Sequence, residues 1–219
     1  MKLEKSANRK AVTVREKPRR LLPVAQQESV IISIAADLFL QRGYGGVSID
    51  AITSIAGGSK RDIYLLFGDK ESLFERCITM LVEENTAPLK RISPVDDIRT
   101  CLKSAGLLIV DIFLQPKTLA LHKLIVANAD LKLSASKSFL EGGPQRVYQA
   151  VADLLVHHDR CNLTNVSDAK AFAKIFVGGL TAELQIRALM GETIDISERE
   201  AKVDLAVRSF LEGVCAQNP

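Results

Sequence analysis

The chain has 219 residues, 47% hydrophobic but only 5% aromatic, with no tryptophan and a formal net charge of +3, a balance that favours aliphatic helix packing over an aromatic-rich β-sandwich. That length supports a sizeable core, in one large domain or in a small one joined to a larger one. Cys77, Cys101, Cys161 and Cys215 form neither a CxxC pair nor a dense framework, the longest apolar run (Ala105 to Leu114) is broken by Asp111 and falls short of a span of ~18 residues, and no apolar stretch follows the first charges, so a reducing cytoplasm is expected and a disulfide scaffold, a membrane partner and a secretory signal are not.

Charge is unevenly placed. Lys2, Lys5, Arg9, Lys10, Arg15, Lys17, Arg19 and Arg20 stand against Glu4 and Glu16, a local net of +6 over residues 1 to 22. Without apolar periodicity this segment reads as a basic arm, either a phosphate-contacting one or a solubilising tail. Pro23 suits the first turn of a helix, and Ile31, Ile34, Ala35, Leu38 and Phe39 then recur on one helical face that stops at Gly43.

Ser48 can cap a helix carrying Ile49, Ile52 and Ile55, which Gly57 and Gly58 stop. Ser59 and Asp62, three apart, have the spacing of a capping box for a further helix that Gly68 closes. Two short helices about a glycine turn make a helix-turn-helix, whose second member can lie in a DNA major groove. Asp69 caps a fourth helix through Leu73, Phe74, Cys77, Ile78 and Leu81, bent or ended by Pro88. From Pro23 to Ser72 four basic residues meet six acidic ones, so this reading module is itself net −2 and selects through a few placed groups.

The run FLQRGYGGVSIDAITSIAGGSKRDIYLLFGDKESLF resembles the amino-terminal DNA-binding domain of the TetR/AcrR family of bacterial one-component regulators. Phe39, Arg42-Gly43-Tyr44, Ser48, Ile52, Ala56-Gly57, Ser59-Lys60, Ile63-Tyr64, Phe67, Lys70-Glu71 and Leu73-Phe74 carry the likeness. It implies a homodimer on a palindromic double-stranded DNA operator, released when a small molecule enters the second domain. Carried over, Ser48 and Lys70 contact phosphate at helix starts. Tyr64 supplies an aromatic hydroxyl, and Ser59, Lys60, Arg61 and Asp62 form the entry turn of the recognition helix. Arg61 has the fork for guanine O6 and N7, and Leu65 could cover a thymine methyl, although both Leu65 and Leu66 fit a core as well. The family commonly has Val at Gly58, Gly-Thr at Arg61-Asp62 and a polar or aromatic pair at Leu65-Leu66, so the operator does not transfer from relatives. Asp62 must serve the Ser59 cap or a cytosine amine, or else it repels phosphate.

Beyond Pro88 the pattern predicts helices near 95–114, 117–130, 136–141, 144–160, 168–191 and 197–215, bordered by Pro94, Pro116, Gly142-Gly143-Pro144 and Gly191, with Ser167 and Ser197 as caps. Leu124-Ile125, Phe139, Gly143-Pro144, Arg146-Val147, Gly178-Gly179-Leu180 and Leu189 make this part similar to the carboxy-terminal domain of the AefR-like branch of the same family. Phe172, Ile175, Gly179, Leu205 and Phe210 lie on apolar stripes that the resemblance assigns to a four-helix dimer interface; packing within one subunit would use them equally well. It also implies an effector pocket, for which Phe113, Leu124, Phe139, Tyr148 and Phe176, with His122 and Asn128 as polar groups, are candidates that plain core would also explain.

Catalytic constellations are thin. Ser134 to Lys137 fits S-x-x-K without its companion motifs, and Ser59-Lys60 lacks a phosphate-loop frame. His157, His158 and Cys161 lack further metal ligands in sequence. The expectation is therefore an all-α protein: arm 1–22, a three-helix helix-turn-helix domain over 23–70, and a larger helical effector-binding and dimerisation domain over 71–219. It acts as a ligand-responsive repressor in the bacterial cytoplasm at the nucleoid, with no cofactor, metal or catalytic residue. The alternative is an all-helical enzyme or partner-binding protein that reuses the fold.

Overall fold

The computed structural model describes residues 24–94, 96–128, 133–158 and 166–215; the basic arm and Cys161 lie outside them. Among the described residues the secondary structure is helical with no strand. Helix α1 spans Val24–Arg42, α2 Ile49–Ala56, α3 Lys60–Phe67 and α4 Lys70–Thr86, after which Pro88 tightens the chain into a 3₁₀ turn over Ala87–Arg91. The second part comprises α5 (Ile98–Leu114), α6 (Pro116–Ala127), α7 (Leu133–Gly142), α8 (Pro144–His158), α9 (Val166–Leu189) and α10 (Ile196–Cys215).

Local chemistry sets most of these borders. Asp97 caps α5 by accepting from the backbone N–H groups of Arg99 (3.0 Å) and Thr100 (3.2 Å). Pro116 occupies the first turn of α6, and α5 and α6 meet at a 60° bend. No single described helix is long and apolar enough to cross a membrane. Five of the six predicted starts differ from the structure: α5 begins at Ile98 rather than residue 95, α6 at Pro116 rather than 117, and α9 at Val166 rather than 168, while α8 begins at Pro144 as expected. Helix α7 begins at Leu133 rather than Ser136, and α10 begins at Ile196, so Ser197 lies inside the first turn and is not its cap. Helix α9 starts at Val166, and the Ser167 side chain lies outside the described set.

Two apolar cores form. The first joins Phe39, Ile52, Ile63, Leu73, Phe74 and Leu81 of α1–α4 to Leu121, Leu124 and Ile125 of α6 and Ala135 of α7. The second is built by α5, α8, α9 and α10 around Leu102, Ile109, Leu155, Phe176, Leu180 and Val203. The first core therefore crosses residue 70, and side chains of the second part wedge the helix-turn-helix module in place. Within it Phe39 meets Phe74 edge to face (centroids 5.0 Å), Tyr44 meets Phe74 (4.9 Å), and Phe39 stacks with Tyr44 (5.9 Å). At the far end Arg187 pairs with Glu183 and Glu192 and reaches Glu198 of α10, which fastens the α9–α10 hairpin.

Candidate nucleic-acid interface and ligand cavity

The turn between α2 and α3 consists of Gly57 (φ +74°) and Gly58 (φ +87°). Both angles lie where a side chain is strained, and most of all a β-branched one. Gly58, the departure from the family's usual valine, is thus the residue this backbone path requires. Ser48 caps α2 by accepting from the Ala51 N–H at 3.1 Å. Ser59 caps α3 in a closed capping box: the Asp62 N–H donates to Ser59 Oγ (3.2 Å), while the Ser59 N–H and hydroxyl both donate to Asp62 Oδ2 at 2.8 Å. Those bonds, the backbone one foremost, hold the Asp62 carboxyl below its usual range. Of the roles open to Asp62, the structure shows the cap.

Helix α3 buries Ile63 and Phe67, four residues apart, and turns its other face outward. Lys60 and Arg61 are exposed, Tyr64 is 49% exposed and Leu65 74%, whereas Leu66 is half-buried against the first core. The two leucines thus separate, one to the surface and one inward. Arg61 has no ion pair among the described residues, which leaves its guanidinium available.

Two other predicted contacts are already engaged. Lys60 Nζ lies 2.7 Å from Asp50, whose hydrogen bond and charge hold the ammonium above its ordinary range. Lys70 donates to the Tyr44 carbonyl oxygen (2.7 Å) and lies over the Tyr44 ring, 4.2 Å from its centroid, so it also ties α4 to the end of α1. Removing the competing carboxylate with Asp50→Asn is expected to strengthen general DNA binding and steepen the plot of log affinity against log salt by about one unit, the signature of one added phosphate contact. Titration at several salt concentrations reads both effects.

The second part holds an apolar cavity of about 310 Å³ between α4, α5, α6, α7, α8 and α9. Phe113, His122, Phe139 and Tyr148 line it. Three other candidates lie elsewhere. Leu124 is buried in the first core, and Asn128 ends α6, its amide donating to the Leu124 carbonyl at 2.7 Å. Phe176 meets Phe210 edge to face (5.2 Å) below a surface groove. Asn85 and Thr118, which sequence reasoning missed, line the cavity, as do Thr86, Thr181 and Gln185. A usable signal existed: Asn85 interrupts the apolar stripe of Ile78 and Leu81, and Thr118 that of Leu121 and Ile125, at helical spacing. His122 is half-buried with its ring edge-on to Phe139 (6.1 Å), and burial lowers its pKa.

The groove, about 370 Å³, runs along α9 and α10 and gathers Phe172, Ile175, Gly179, Leu205 and Phe210. Ile175 is 67% and Leu205 52% exposed, whereas Phe210 is buried in the second core. Of the candidate interface residues, Phe210 therefore supports the groove floor and Ile175 and Leu205 stand on its surface.

The profile of bacterial regulatory proteins of the tetR family matches residues 31–77, and that of the AefR-like transcriptional repressor carboxy-terminal domain matches residues 100–213. The chain belongs to the TetR family. This TetR-family protein is a transcriptional regulator, not an enzyme. It is similar to the regulator RutR of Escherichia coli, 32% identical over 72 residues, a stretch covering 33% of this chain and 34% of RutR. In fold it resembles a TetR-family regulator of Mesorhizobium loti (24% identity, TM-score 0.75, 88% of this chain and 98% of that one) and the flavonoid-responsive regulator FrrA (24%, 0.71, 86% and 97%).

Proposed function

We propose that this TetR-family regulator represses transcription by binding a palindromic operator as a homodimer in the cytoplasm, and that a small, mostly apolar effector releases it. One observation carries the reading. Helix α4 places Lys70, against Tyr44 of the DNA-reading module, and Asn85, on the cavity wall, on a single rod about 22 Å apart. A ligand that favours one placement of α4 over another changes the spacing of the two recognition helices in a dimer, and weakens operator binding by its differential affinity for the two states. A small-molecule response is in keeping with FrrA, a flavonoid-responsive regulator by name.

Specificity rests on Arg61, with Tyr64, Leu65 and Ser59 beside it, and phosphate attraction on Ser48, Lys70 and the arm that precedes Pro23, with Lys60 held back by Asp50. Arg61→Ala should lose about 1–3 kcal/mol on the selected operator and much less on unrelated DNA, because a bidentate guanine contact carries sequence information that a phosphate contact does not. The operator is first obtained by selecting DNA fragments with the purified protein, and affinity is then read at two salt concentrations. Equal losses on operator and unrelated DNA would remove Arg61 from base readout, and no salt dependence at all would favour the partner-binding alternative.

A further inference from the structure

The cavity between α4 and α9 carries a more specific message, which rests on the reading of it as the effector site. No Asp, Glu, Lys or Arg lines it, and burial lowers the pKa of His122 and so favours its neutral form, so a charged ligand would lose its hydration without gaining a full counter-charge. His122, Tyr148 and Gln185 also lie on the wall, and the other four polar side chains divide into two sets. The Thr86 hydroxyl donates to the Val82 carbonyl and the Thr181 hydroxyl to the Val177 carbonyl, each at 2.8 Å, so both are satisfied within their own helices. The Asn85 amide nitrogen and the Thr118 hydroxyl oxygen are buried and have no hydrogen-bond partner, and Asn85 as a whole is only 7% exposed. Buried polar side-chain atoms are overwhelmingly paired, and an amide nitrogen can only donate. Around them Phe113, Phe139 and Tyr148 supply aromatic surface.

We infer that the effector is an uncharged, ring-bearing molecule with a hydrogen-bond acceptor oxygen, a carbonyl or its equivalent, which the Asn85 amide and the Thr118 hydroxyl anchor.

The test uses the whole chain and three compounds of one skeleton: benzophenone (neutral, carbonyl acceptor), diphenylmethane (no acceptor) and diphenylacetate (anion). Benzophenone inserts into nearby C–H bonds under ultraviolet light, so peptide mass spectrometry locates it, and the other two are scored as competitors of that labelling. Labelling is expected on segments 82–86 and 112–122, which carry Asn85, Thr86, Phe113, Thr118 and His122 of the cavity wall. Diphenylmethane should bind at least about tenfold more weakly than benzophenone, and diphenylacetate more weakly still. Asn85→Leu and the isosteric Thr118→Val should each reduce the preference for benzophenone about tenfold while melting as the parent does. If Asn85→Leu does not fold, Thr118→Val and the ligand series on the parent protein still decide. Labelling at scattered surface sites would overturn the cavity as effector site and this inference with it. Labelling in the cavity with diphenylmethane equally tight, or diphenylacetate tighter, would leave the effector site standing and overturn the acceptor class alone.

Discussion

Phe39→Ala is expected to lower the unfolding free energy by about 3–5 kcal/mol, the range for truncating a fully buried phenylalanine. Phe39 is wholly buried, and its ring touches both Tyr44 and Phe74. The deletion removes apolar burial, leaves a cavity that the packed core closes only in part, and breaks two aromatic pairs together. Domains commonly have only 5–15 kcal/mol of stability in total, so the loss is a large share of it, and for a chain of this length the midpoint should fall by roughly 10 °C. Thermal and urea denaturation followed by circular dichroism measure it, with an unchanged slope against denaturant showing that stability alone moved. DNA binding should fall below what instability explains, since Tyr44 holds Lys70 at the start of α4. A midpoint within a degree of the parent would sink the idea that this cluster locks α1 to α4.

The same cluster shows what could be read from sequence and what could not. Local features were legible because local chemistry decides them. The caps at Ser48, Ser59 and Asp69, the capping box with Asp62 and the glycine stops at Gly57 and Gly68 all form where spacing put them. So did the helical content and the family. What escaped depends on distant residues meeting. Lys70 reaches a carbonyl 26 positions away, and Lys60 finds Asp50 across a turn. Helical periodicity assigns Leu65 and Leu66 to adjacent sectors but does not say which sector faces a neighbour, and only packing on the first core separates them. The cavity was hardest. Aromatic residues were natural candidates for its wall, yet Phe176 went to the hairpin and Leu124 to the first core, while the two unpaired polar groups came from stripes that look merely interrupted. A cavity is where packing stops, and no single helix encodes that.

The double substitution Ile175→Glu with Leu205→Glu is expected to convert the regulator to a monomer and to reduce operator affinity by at least about a hundredfold. Both side chains are more than half exposed in the single chain, so the fold should survive, as surface changes usually alter stability by no more than about 0.5 kcal/mol. A twofold interface places each residue near its copy's equivalent surface, so two introduced carboxylates become four in one apolar groove, and unpaired like charges there are strongly unfavourable. Losing the dimer removes the advantage of two linked half-site contacts, which typically multiplies affinity by 10²–10⁴ with no new contact. Lys202 on the groove edge already pairs with Glu183 at 2.9 Å and offers the new charges little relief. Sedimentation gives the mass directly. The parent should run at twice the 23.9 kDa chain and the double variant at one chain, each with the same helical content. A parent that sediments as a single chain at micromolar concentration would end the dimer reading. A double variant that stays dimeric would move the interface elsewhere, with the exposed Ile186, Met190 and Ile196 at the hairpin end as the next surface to probe.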